Sequence, residues 1–235
     1  MVDVKFAWIL ICTLISNSAY ALIAPFLPIE FKEKGVGGEM IGIIFALYSV
    51  AVIICSPFVG KTLVYCGNSN MIALGIATMG TAFICFGFVE QLESMVYILT
   101  VGCILRFVQG AASAFVQTTC YSIAVNEFPE RKEEVVGWVE AMTGVGLISG
   151  PIIGSTLYSV LGYANTFFIY GAILILAALM IKLKFPTGDQ KVTLLSTNDD
   201  NFFESENTNF DDNDIKDDDL GQLQEDKLGI VLNKL

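Results

Sequence analysis

Arg106 and Glu140 are the residues best placed to do chemistry in this sequence. Each interrupts a long apolar stretch, Arg106 in LRFVQGAASA and Glu140 in VVGWVEAMTG. An ionisable side chain at membrane depth is expensive, and it marks a functional site by default. A carboxylate there can hold an organic cation by charge or exchange a proton, and Glu140 has a second reading as a glutamate near the membrane boundary. Neutral polar residues accompany the pair, with Ser16 and Asn17 midway along the first apolar block and Gln109 and Gln117 in the same block as Arg106.

Other chemistries have little to stand on. The chain has no histidine, no phosphate-binding glycine loop and no nucleophile beside a base. Enzyme activity, a cofactor and a metal centre are therefore not expected. The six cysteines, at 12, 55, 66, 85, 103 and 120, are unclustered and suggest neither a disulfide framework nor a zinc site. No basic patch suits nucleic acid.

The elements that position these residues are membrane spans. Of the 235 residues 54% are hydrophobic, above the soluble average of roughly 45–50%. The apolar residues fall in six blocks, at 6–29, 40–59, 71–89, 95–120, 135–160 and 166–183. Blocks about 20 residues long suffice to cross a hydrocarbon core of about 30 Å. Lys5, Lys61, Arg131, Lys132, Lys182 and Lys184 flank one side, and Lys32 and Lys34 the other. The positive-inside rule then places both termini in the cytoplasm. Which membrane is crossed is not distinguishable from the sequence.

At 100° per residue Gly102, Arg106, Gly110 and Ala114 share one helix face, so Arg106 points at a neighbouring helix and not at lipid. By depth Asn17 is within its reach, and Asn17 with Gln109 is expected to hold it; whether Arg106 also reaches Glu140 is ambiguous from helix rise alone. Gly146, Gly150 and Gly154 recur every four residues in GVGLISGPIIG. This small-xxx-small stripe lets another helix approach closely. Glu140 lies about 120° around the helix from Gly146, so it need not face that same neighbour.

Charge divides the chain. Residues 1–184 carry 9 basic and 11 acidic residues, whereas residues 185–235 carry 4 and 13, which accounts for most of the net −11. The first region, 1–186, reads as a six-helix transmembrane bundle. The second, 187–235, is polar and aperiodic, and reads as a disordered acidic cytoplasmic tail or linker. Its DDNDIKDDDLGQ segment lacks the central glycine and final glutamate of a calcium loop.

Six spans, RFVQG in the fourth and GVGLISGPIIG in the fifth resemble the N-terminal half of the major facilitator superfamily. Arg106, Gln109 and Gly110 match its fourth-helix motif, whose arginine is associated with proton coupling. Gly146, Gly150, Pro151 and Gly154 match the fifth-helix motif of its antiporters, a packed, kinked hinge. APFLP in the first span and FPE…VVGWVEAMTGVGLISGPIIGSTLY look most like the vesicular amine transporters, and within them the polyamine-type branch. The likeness covers residues 6–186. In the loop after the second span Gly60 and Gly67 match the family motif, while Val64 and Tyr65 replace its charged pair. The aspartate that monoamine carriers have in span one is absent near Ser16 and Asn17, which leaves Glu140 as the best intramembrane carboxylate.

The resemblance implies an all-α integral membrane protein of two three-helix repeats. It implies secondary active transport, as proton-coupled antiport of an organic cation such as a polyamine or monoamine. The family has twelve helices with sites between two six-helix halves. The chain is thus expected to be a fragment of a longer protein, a half completed by a second half or by a copy of itself, or, as the alternative, a non-transporting assembly or regulatory subunit.

Overall fold

The computed structural model describes residues 2–92 and 94–185. The acidic region from 187 onward, expected to be disordered, lies outside the described residues. Among the described residues every regular element is helical: α1 (Val2–Leu22), α2 (Leu27–Glu33), α3 (Gly38–Cys66), α4 (Asn68–Gly87), α5 (Met95–Glu127) and α6 (Lys132–Lys184), with single 3-10 turns at Phe88–Gln91 and Pro129–Arg131. Among the described residues five stretches are long and apolar enough to cross a membrane: Val4–Glu33, Gly38–Leu63, Asn68–Gln91, Met95–Glu127 and Pro129–Lys184.

The boundaries follow local chemistry. The first apolar block, expected to run unbroken over 6–29, is divided: α1 stops at Leu22 and α2 restarts with a proline in its first turn. Pro25 cannot donate to a helical carbonyl, and the residue before a proline is pushed out of the helical region. α3 passes into α4 through Gly67, whose φ of 77° favours a residue without Cβ. α5 has 33 residues, or about 50 Å of helix, and so outruns the bilayer core.

The fifth and sixth expected blocks share α6. Only Gly162 leaves the helical path within it, at φ 78° and ψ −179°. One left-handed residue thus does the work expected of a loop at 161–165. Residues on either side of it pack against different partners. Before the break, Gly146, Gly150 and Gly154 lie against α1, where a Cβ on Gly150 would stand 2.6 Å from the Ser18 carbonyl oxygen. After the break, Gly171 lies against α4, and its Cβ would stand 2.8 Å from the Gly80 carbonyl oxygen. Helical dihedrals continue through Pro151, and the Ser155 hydroxyl donates to the Pro151 carbonyl.

The core joins these elements. Phe167, fully buried, meets Phe26, Phe83, Phe86 and Tyr163 with ring centroids 4.8–5.7 Å apart. This cluster docks the segment after Gly162 onto α4 and the start of α2. Aromatic pairs of this kind add about 0.5–1.5 kcal/mol each beyond area burial. At the far ends the joints are polar. Lys5 pairs with Glu127 at 2.6 Å, and the Lys34 amine donates to the carbonyls of Val89, Glu90 and Leu92.

Candidate functional site

α5 carries the site. Its turns present Arg106, Gln109, Ser113, Gln117 and Tyr121 in succession at helical spacing. Gly110 on the same helix admits α3 closely: a Cβ there would collide with the Tyr48 carbonyl and lie 2.8 Å from the Ala51 methyl. That close approach seals Arg106 between helices.

Arg106 is fully buried. Its Nη1 donates to Gln109 Oε1 at 3.4 Å, and its guanidinium lies 4.5 Å from the centroid of the Phe45 ring. Among the described residues, Arg106 Nε and Nη2, Gln109 Nε2 and the Tyr48 hydroxyl are buried without hydrogen-bond partners. A desolvated cation–π contact contributes about 2 kcal/mol or more, set against the several kcal/mol of burying an ion. The site therefore costs stability. Arg106→Met is expected to melt no lower than the parent chain and to gain up to about 1–4 kcal/mol, as hydrophobic replacements of buried ionic groups often do. Thermal unfolding in detergent checks this, and a melting temperature lowered by several degrees would show a compensated guanidinium.

The middle of the track joins α1 to α5. The Ser16 and Ser113 hydroxyls are 3.4 Å apart, and Gln117 Nε2 donates to Ser113 Oγ at 2.9 Å. The third part joins α5 and α1 to α6. The Tyr121 hydroxyl donates to Glu140 Oε1 at 2.5 Å. Asn17 Nδ2 donates to the Thr13 carbonyl at 2.9 Å and to Thr143 Oγ1 at 3.4 Å. Arg106 and Gln109 are sealed, Gln117 and Tyr121 are partly exposed, and Glu140 is exposed.

The expected Asn17–Arg106 contact is not formed. Asn17 spends its amide on Thr13 and Thr143. The cause is the glycine stripe, since Gly146 brings α6 so near that a Cβ on it would lie 2.9 Å from Asn17 Cβ. Asn17 is thereby turned toward α6, and Ser16 is left to face α5. Gln109 does contact Arg106 as expected, and Arg106 has no ion pair with Glu140 among the described residues. Gly146, Gly150 and Gly154 are all buried against α1, whereas Gly60 is exposed with nothing near its Cβ position. Tyr121, Thr143, Ser113 and Tyr48 belong to the track but were not singled out from the sequence. Tyr121 had a signal, lying four residues after Gln117 on one helix face.

A multi-helix membrane bundle with a polar track leading from a sealed guanidinium to an exposed carboxylate has the build of a solute carrier. The chain belongs to the Major Facilitator Superfamily, whose family model matches residues 9–209. It is 32% identical over 157 residues to the mouse MFS-type transporter SLC18B1, covering 67% of this chain and 34% of that protein. It is 27% identical over 159 residues to multidrug resistance protein 2 of Bacillus subtilis, covering 67% and 38%. It is 28% identical over 148 residues to the class B tetracycline resistance protein of Escherichia coli, covering 62% and 35%. The chain spans about a third of the length of the curated relatives it matches. The SLC18B1 likeness supports the vesicular amine branch that the motifs suggested, and the family is one of transporters, not enzymes.

Proposed function

We propose that this chain forms one six-span half of a secondary transporter that exchanges protons for a small organic cation such as a polyamine or monoamine. The observation that carries this reading is the exposed Glu140 carboxylate, held by Tyr121 at the open end of the polar track. Transporters of this build bind their solutes near the bilayer midplane, between two halves. Glu140 offers the cation its charge, and Gln117, Tyr121 and Thr143 offer it hydrogen-bond partners. Arg106 and Gln109 form the inner, positioning part of the track, Asn17 positions Thr143 in its outer part, and Pro151 within the glycine stripe serves as the joint along which α6 moves on α1. The exposed carboxylate must be covered in a membrane, either by a second six-helix half or by a copy of this chain.

Packing supports counting α6 as two spans and grouping the six into two repeats. α1 meets α6 before Gly162 through the glycine stripe, α3 meets α5 through Gly110, and α4 meets α6 after Gly162 through Gly80 and Gly171. Under a repeat that maps spans one to three onto four to six, the first contact maps onto the second and the third onto itself. Such internal symmetry is how these folds are built.

Single-cysteine labelling tests the topology. Glu33→Cys and Gln91→Cys should react from one side of the membrane, and Cys66 and Asp189→Cys from the other. A reversed pair would refute six spans with both termini cytoplasmic. The activity is tested in vesicles holding this chain together with the six-helix C-terminal half of a related carrier. An imposed pH gradient should drive polyamine uptake, and a protonophore should collapse it. Uptake indifferent to the protonophore would remove proton coupling.

A further inference from the structure

A groove of about 630 Å³ lies between α4 and the final turns of α6, away from the polar track. Its size falls in the range of roughly 300–1,000 Å³ of sites that hold one small ligand. Met71, Ala73, Leu74 and Ala77 line it from α4, and Ile175, Ala178 and Leu179 from α6. At one end it becomes polar. There Lys182, in the last turn of α6, donates to Asn70 Oδ1, and Asn70 Nδ2 donates to the Cys66 carbonyl at 2.9 Å. Tyr65 and Cys66 complete that end at the joint between α3 and α4.

We infer that the groove seats one anionic phospholipid, with an acyl chain between α4 and α6 and the phosphate on Lys182. The geometry separates the two chemistries as a lipid does. Ile175 and Lys182 are seven residues apart, so the apolar walls run about 10 Å inward from the ammonium. That depth suits a hydrocarbon chain, and a free phosphate would leave it empty. Charge selects the headgroup. Among the described residues no carboxylate lines the groove, and Asn70 is a neutral partner that does not compensate the lysine's charge. Lys61 stands one turn before Tyr65 on the exposed side of α3 and adds a second positive charge near the same end. Basic pockets between membrane helices at the membrane edge bind anionic headgroups for this reason.

The test uses the full chain in phosphatidylcholine nanodiscs doped with a phosphatidylglycerol that carries a diazirine on its acyl chain. Photolabelling should concentrate in peptides covering 71–77 and 175–179. Lys182→Gln should lower that labelling about fivefold, the factor one lysine's attraction to an anionic surface is worth, and Lys182→Arg should preserve it. Melting temperatures confirm that both variants fold, since Lys182 is exposed. Equal labelling by a phosphatidylcholine probe, labelling confined to other helices, or labelling unchanged in Lys182→Gln would each overturn the assignment. So would a groove protected by residues 186–235 or by a second copy, because the probe would then leave α4 unmarked.

Discussion

Gly150→Leu is expected to abolish folding, while Gly60→Ala leaves it unchanged. A Cβ on Gly150 would stand 2.6 Å from the Ser18 carbonyl oxygen, 2.8 Å from the Ala21 methyl and 3.0 Å from the Leu22 amide nitrogen. Two of these three atoms are backbone, so no rotamer change relieves the clash. Extra methylenes in a tight core cost about 1–3 kcal/mol even where side chains can shift. Leucine adds a branched side chain at a helix crossing, and the neighbouring Gly146 and Gly154 crossings must open with it. Gly150→Ala should already lower the melting temperature by several degrees. Gly60, with nothing within 4 Å of its Cβ position, tolerates alanine and gains helix propensity. Size-exclusion profiles and thermal unfolding in detergent check both. A monodisperse Gly150→Leu chain with the parent's melting temperature would show that α1 and α6 do not cross where described.

Glu140→Gln is expected to remove pH-driven amine exchange while the chain still folds. Glutamine keeps a carbonyl that can accept from Tyr121, so the track's geometry survives and the charge does not. An ammonium about 4 Å from a carboxylate gains roughly 4 kcal/mol at an effective dielectric of 20, so losing that charge should slow exchange by about a hundredfold or more. Tyr121→Phe removes only the hydrogen bond that orients the carboxylate, and a smaller loss is expected. Initial rates of labelled polyamine uptake under an imposed pH gradient, with this chain paired to a second half, measure both. Exchange unchanged in Glu140→Gln would place the coupling group elsewhere.

Much of this arrangement could be read from helical periodicity. The stripe at 146, 150 and 154 announces a close crossing, and the company of Gly102 and Gly110 puts Arg106 on an inward face. Periodicity does not say which helix comes to meet each face. Asn17 was expected at Arg106 because depth allowed it. Its orientation is fixed by Gly146 more than a hundred residues away, and no local pattern carries that. Tyr121 and Thr143 look like ordinary packing residues in an apolar helix until α5 and α6 are brought together. The division of the first span traces to Pro25, whose missing N–H and constraint on the residue before it break the helix. The turn at Gly162 was expected as a short loop, because a glycine's freedom to adopt a left-handed conformation reads in sequence only as a weak break.

Reconstitution tests the central claim most directly, that the polar track is one wall of a transport site whose other wall is a different six-helix half and not a copy of this chain. The purified chain is inserted into liposomes alone, and in parallel with the six-helix C-terminal half of a related carrier. No substrate exchange by the chain alone, with exchange driven by a pH gradient once the second half is added, is the expected result. Robust exchange by copies of this chain alone would contradict it, since the track would then be completed by a symmetric pair.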